Sequence, residues 1–138
     1  MDNILSMAGL ALRAGRLEVG DEAASDACRE KRCRLLLTAC DAAENTLSRA
    51  ERCAQEGQCL LLGLPCSKEA LGAALGRGSC AMAAVTDLGF ALALAEKLAA
   101  REPARYGEAV ERLRLKAERA AQRRQSPAKR PGRKKKQK

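Results

Sequence analysis

The sequence contains no histidine and no tryptophan, and its 138 residues include a single phenylalanine, Phe90, and a single tyrosine, Tyr106. Without histidine, the commonest general base at neutral pH is missing. A surface that reads single-stranded bases by stacking needs several aromatic faces, and this chain can offer almost none. Cysteine is present at positions 28, 33, 40, 53, 59, 66 and 80, yet no C-x-x-C pair occurs and the count of seven is odd. That pattern argues against a zinc ribbon or a closed disulfide framework. The thiols read as free, mostly buried side chains in a reducing cytosol, and no metal or other cofactor is expected. Cys66 precedes an expected helix N-terminus, where a thiol's pKa can fall. With no histidine beside it and no phosphate-loop motif in the chain, no enzyme activity is expected. The N-terminus carries Asp2 rather than a basic region, and the longest apolar stretch, around Leu88 to Ala95, is far short of a membrane span. A soluble cytoplasmic protein without a membrane partner is expected, and no internal repeat is found.

What is present suits one folded domain with an extension. Hydrophobic residues make up 46% of the chain, enough for an ordinary core, and they are chiefly Ala, Leu and Val, whose small volumes let elements lie close together. The net charge of +9 is unevenly placed. Residues 1–100 carry 11 Lys/Arg against 13 Asp/Glu, whereas residues 101–138 carry 15 against 4. All of the excess basicity therefore lies at the C-terminal end, an electrostatic footprint that suits nucleic acid.

Along the chain, helical and strand-like segments alternate. Ile4, Leu5, Ala8 and Leu12 fall at helical spacing over residues 2–14, and Gly15 closes that helix. Leu17 to Val19 is a short candidate strand. Asp21 and Glu22 then open a second helix that runs into Arg29, Lys31, Arg32 and Arg34. Leu35 to Cys40, Cys59 to Leu62 and Ala81 to Val85 are apolar without alternation, as strands covered on both faces are. Between them lie helices over 45–56, ended by Gly57, and from Ser67 to Leu75, stopped by Gly76. Another follows, capped by Thr86 or Asp87 and reaching about Ala100. This order predicts a three-layer α/β/α sandwich with a mixed sheet of about four strands over residues 1–100. Pro103 interrupts the pattern, and Tyr106, Val110, Leu113, Ala117 and Ala120 resume it as the apolar stripe of a basic helical extension, 101–125. Residues 126–138 carry seven basic residues and no acid, and are expected to be a disordered polybasic tail.

Four phrases, in one register, carry a resemblance. They are MAGLALRAGRL (Met7 to Leu17), ACDAAENT (Ala39 to Thr46), SKEALGAALG (Ser67 to Gly76) and VTDLGFA (Val85 to Ala91). Together with the element order they resemble bacterial YlxQ-type members of the kink-turn-binding ribosomal protein superfamily, which includes large-subunit proteins seven-Ae and thirty-e. The resemblance implies an RNA-binding, non-enzymatic domain. Relatives of this kind read tandem sheared G·A pairs with a Gly-x-Asn-Glu motif at the start of the second helix, and a second loop near the fourth helix packs against an extruded base. Here the glycine is Gly20, but the Asn and Glu positions hold Glu22 and Ala23, and the basic position beyond them holds Asp26. These changes remove a donor and an acceptor and add repulsion towards phosphate, so kink-turn reading of the usual kind is not implied.

The residues expected to face RNA are Arg13 and Arg16 beside the first turn, Gly20, Asp21 and Glu22 at the second helix start, and Arg29, Lys31 and Arg32 at its end. Arg77, Gly78 and Ser79 in the second loop join them, with Lys129, Arg130, Arg133, Lys134, Lys135 and Lys136 in the tail. Each has a plainer alternative: a charge cluster as a solvated helix end, a Gly-Ser loop as a turn, and the tail as a solubilising segment. Asp41, Glu44 and Asn45 read as a capping and turn cluster rather than paired catalytic carboxylates. The helical extension is left with three options: lying on the domain, pairing with a partner helix or ordering on RNA. The expected partners are ribosomal or other structured RNA, with the ribosome or its proteins, bound by a monomer. The competing expectation is a protein–protein adaptor that keeps the fold after losing RNA recognition.

Overall fold

Four short strands hydrogen-bond into one mixed sheet, in a computed structural model that describes residues 2–124. The strands are β1 (Leu17–Val19), β2 (Leu35–Thr38), β3 (Leu60–Gly63) and β4 (Met82–Val85), in the order β1-β4-β2-β3. β4 runs antiparallel to both β1 and β2, pairing Val85 with Leu17 and with Leu35, while β2 and β3 are parallel. The helices are α1 (Asp2–Arg13), α2 (Asp21–Arg29), α3 (Glu44–Gly57), α4 (Lys68–Ala74), α5 (Leu88–Arg101) and α6 (Pro103–Arg124).

Alanine is depleted in strands and leucine is not among the residues enriched there, so burial more than propensity holds LLLT and MAAV extended. Every residue of β2 and β4 is buried. Their side chains alternate between two apolar clusters. Leu35, Leu37, Ala83 and Val85 join residues of α1, α4, α5 and α6, whereas Leu36, Met82 and Ala84 join residues of α2 and α3.

Caps fall where the sequence places them, with two exceptions. Ser67 Oγ accepts from the Ala70 N–H at 3.1 Å and Asp87 Oδ2 from the Phe90 N–H at 2.9 Å, fixing the starts of α4 and α5. Asp41, however, does not cap the helix that follows it. Its Oδ1 accepts from the Lys68 N–H at 2.8 Å and so ties the loop after β2 to α4, far along the chain. Nor does Gly57 end α3 as a left-handed cap. That role falls to Gln58 (φ 55°), and Gly57 instead allows close approach, since a Cβ there would lie 3.0 Å from the Cys28 carbonyl oxygen.

The C-terminal helix belongs to the folded body. Tyr106, Val110 and Leu113, at 1%, 6% and 0% exposure, enter the same cluster as Leu35, Leu37, Ala83 and Val85. Burying side chains of this size stabilises by roughly 1.5–3 kcal/mol each. Tyr106 Oη donates to the Gly63 carbonyl at 2.5 Å and Arg105 Nη2 donates to it at 3.2 Å, covering an outward carbonyl of the edge strand β3. On the other side, Arg114 bridges Glu111 within α6 at 2.9 Å and Glu96 of α5 at 3.3 Å. Of the options left open for this helix, the structure takes the first: it lies on the domain.

Candidate nucleic-acid interface

The expected RNA-facing residues fold into two separate groups. The first is at the start of α2. Gly20 has φ 98° and ψ 164°, a backbone that a residue with a Cβ adopts only under strain, and its N–H donates to the Met82 carbonyl at 2.9 Å. It offers no side-chain cap, which leaves the first-turn N–H groups of α2 without a local acceptor. Asp21 and Glu22 occupy that first turn, so the positive end of the helix is already matched by carboxylates.

The second expected loop comes to the same place. Gly76 turns the chain at φ 73°, the Arg77 N–H donates to the Gly72 carbonyl at 2.7 Å, and the Cys80 N–H donates to the Lys68 carbonyl at 2.9 Å. Gly72 admits this loop, since a Cβ there would come within 2.5 Å of Ser79 Cα. Cys80 lies in the field of the Gly20 backbone, Asp21 and Arg77, so the turn at Gly20 and the loop Arg77, Gly78 and Ser79 are neighbours. Burial raises the Cys80 thiol pKa and, likewise, that of Cys66, which corrects the expectation that Cys66's position before α4 would lower it.

Of the other basic residues, Arg13 lines a surface hollow with Ala74, two residues before Gly76, and the rest lie elsewhere. Arg16 lies at the other end of β1, where its carbonyl accepts from the Thr86 N–H at 2.9 Å, and Arg13 lies on α1 close to Gly9. Arg29 pairs with Asp26, and Arg32 pairs with Glu30 at 2.8 Å and with Glu18 at 3.4 Å. Lys31, in a left-handed conformation (φ 63°), donates to the Glu56 carbonyl. All three cations are solvent-exposed and make these contacts within the fold. Lys129, Arg130, Arg133, Lys134, Lys135 and Lys136 lie outside the described residues.

A third place was not legible as a site from the sequence. Docking of α6 sets Lys116, Arg119 and Arg123 beside Arg34, around a cavity of about 240 Å³ whose lining includes Cys33, Gln58 and Leu88. An adjoining cavity of about 280 Å³ shares Arg34, Leu88 and Arg123 and adds Thr86 and Asp87. None of the four cations makes an ion pair or a side-chain hydrogen bond with another described residue. The only acid lining either cavity, Asp87, is engaged in capping α5. Positions 116, 119 and 123 share one helical face, and that was the available signal; which face would meet Arg34 depends on how Tyr106 and Leu113 seat the helix.

Beneath this groove three thiols converge. Cys28 at the end of α2, Cys33 before β2 and Cys59 before β3 place their Sγ atoms within 4.8 Å of one another, with Cys33 and Cys59 3.6 Å apart. The hydrogen bond with Cys33 brings the Cys59 thiol down to about 7, with a smaller contribution from the Lys116 charge. Burial pushes Cys28 up to about 12, and the hydrogen bond to Cys59, followed by burial, holds Cys33 firmly protonated.

No family model and no curated protein matches this chain. Among solved structures it is similar to a protein of unknown function from Bacillus halodurans C, with 28% identity and a TM-score of 0.62. The match covers 67% of this chain and 93% of the other.

Proposed function

We propose that this chain is a non-enzymatic RNA-binding protein of the YlxQ type, a cytoplasmic member of the kink-turn superfamily with that family's three-layer α/β/α sandwich. Its target is ribosomal or other structured RNA. One observation carries the reading: Arg34, Lys116, Arg119 and Arg123 converge on one groove without carboxylate partners among the described residues. Cations left unpaired by the fold are free to replace counterions on phosphate, and this term dominates sequence-independent affinity. The tail residues from Lys129 to Lys136 add to the same term. Gly20 and the loop from Arg77 to Ser79 supply shape beside it, and Asp21 and Glu22 keep phosphate away from the helix start where relatives bind. Fluorescence anisotropy with a labelled, structured RNA tests this. Binding that weakens steeply with salt supports the reading, and no measurable binding at low salt defeats it.

The acidic first turn of α2 favours one second reading, an adaptor that uses this end for a protein partner. Capture of partners from a lysate before and after nuclease treatment separates the two. Partners that survive nuclease favour the adaptor, and their loss counts against it.

A further inference from the structure

Cysteine is among the most buried residue types and often only fills space, so a buried thiol by itself assigns nothing. Cys53 fits that description, with its Sγ 3.3 Å from Ser25 Oγ. Cys28, Cys33 and Cys59 do not. They come from three segments of the chain, and their sulfurs share one point, the only such grouping of potential metal ligands among the described residues. Tetrahedral zinc with Zn–S distances of about 2.3 Å holds its sulfurs about 3.8 Å apart. The 3.6 Å separation of Cys33 and Cys59 is already close to that spacing, and the remaining separations, all within 4.8 Å, close with small side-chain rotations.

The structure assigns these three thiols a ligand: Cys28, Cys33 and Cys59 bind one Zn²⁺ as thiolates, with the fourth coordination position towards the groove that Cys33 helps to line. The all-sulfur donor set suits a soft or borderline ion and not Mg²⁺, Ca²⁺ or Mn²⁺. On binding, each thiol that is still protonated releases its proton to solvent and forms one Zn–S bond. Three thiolates and one Zn²⁺ leave a single negative charge beside Lys116, whose field already reaches Cys59. The ion would tie the end of α2 and the turn carrying Lys31 and Arg32 to the start of β3. The C-x₄-C pair of Cys28 and Cys33 falls within ordinary zinc-ligand spacing, but with no second such pair downstream the sequence does not mark Cys59 as the third ligand. This assignment is independent of RNA binding and stands or falls separately.

The test uses the full chain, reduced and stripped of metal, then loaded with zinc sulfate alone and dialysed. One zinc per chain is expected, with X-ray absorption showing three sulfurs at about 2.3 Å. Retention should be lost in Cys59→Ser, which is partly exposed, and in Cys28→Ala and Cys33→Ala, and kept in Cys40→Ser, which is exposed and outside the cluster. Circular dichroism identifies any variant that fails to fold, and the absorption spectrum of the unaltered chain does not depend on variants. A shell of oxygen or nitrogen alone, no zinc retained after dialysis, or full retention by folded Cys59→Ser would overturn the assignment.

Discussion

Replacing Lys116, Arg119 and Arg123 together by glutamine removes three of the four groove cations while leaving the buried stripe of α6 in place. Glutamine has nearly the helix propensity of lysine and arginine, so the helix itself should persist. If each cation neutralises one phosphate, each contributes about 0.7–0.9 to the slope of log K against log salt concentration. Four contacts then account for a slope of about 3, and roughly a 100-fold loss of affinity between about 50 and 200 mM salt. The triple variant should lower the magnitude of the slope by about 2–3 and bind more weakly at low salt. Anisotropy titrations at four or five salt concentrations measure this directly. Arg105 and Arg114 are the control, because their guanidinium groups are engaged with Gly63, Glu96 and Glu111, and their replacement by glutamine should leave the slope nearly unchanged. A triple variant that is folded and keeps the parent slope would refute the reasoning, since the groove would then contact no phosphate.

Other consequences follow from the same structure. Leu113→Ala, at a site with no exposure, should destabilise by about 2–5 kcal/mol in urea unfolding, and a chain ending at Ala100 should fail to unfold cooperatively because it loses Tyr106, Val110 and Leu113. Gly20→Ala meets no steric obstacle but must adopt φ near 98°, and should cost on the order of 1–3 kcal/mol by the same assay. The thiolate is the reactive form, and Cys59 has a pKa lowered from 9.0 to about 7, so its alkylation in reduced, metal-free protein should rise with pH and reach half its maximum near pH 7. Mass spectrometry of the modified peptide reads that midpoint, and one near 9 would count against the Cys33 hydrogen bond as its cause.

Local chemistry was legible in the sequence, and assembly was not. The four candidate strands form, β2 and β4 because LLLT and MAAV are buried on both faces, while β3, expected to be covered likewise, is only half-buried at the sheet edge; Ser67 and Asp87 cap the helices they precede. The stripe from Tyr106 to Leu113 announced a helix, yet not where it docks. Asp41 reads locally as the cap of α3, but it serves α4, and that choice is made by the fold. The same holds for the two clusters at one end of the sheet. Cys28 and Cys33 sit at a C-x₄-C spacing, but Cys59 joins them only through the parallel pairing of β2 with β3. Arg34 gains Arg119 and Arg123 as neighbours only once α6 is seated. The residues marked by resemblance, Gly20 and the loop at Arg77, do come together, but Arg29 and Arg32 lie elsewhere, paired with acids of the fold.

Ultraviolet crosslinking in cells, with sequencing of the recovered RNA and mass spectrometry of the crosslinked peptides, tests RNA binding through this groove most directly. Structured RNA enriched above background, attached to peptides containing Arg34 or residues 112–124, is the predicted result. Recovery of no RNA above background, or crosslinks that all fall away from this groove and from the basic tail, would contradict it.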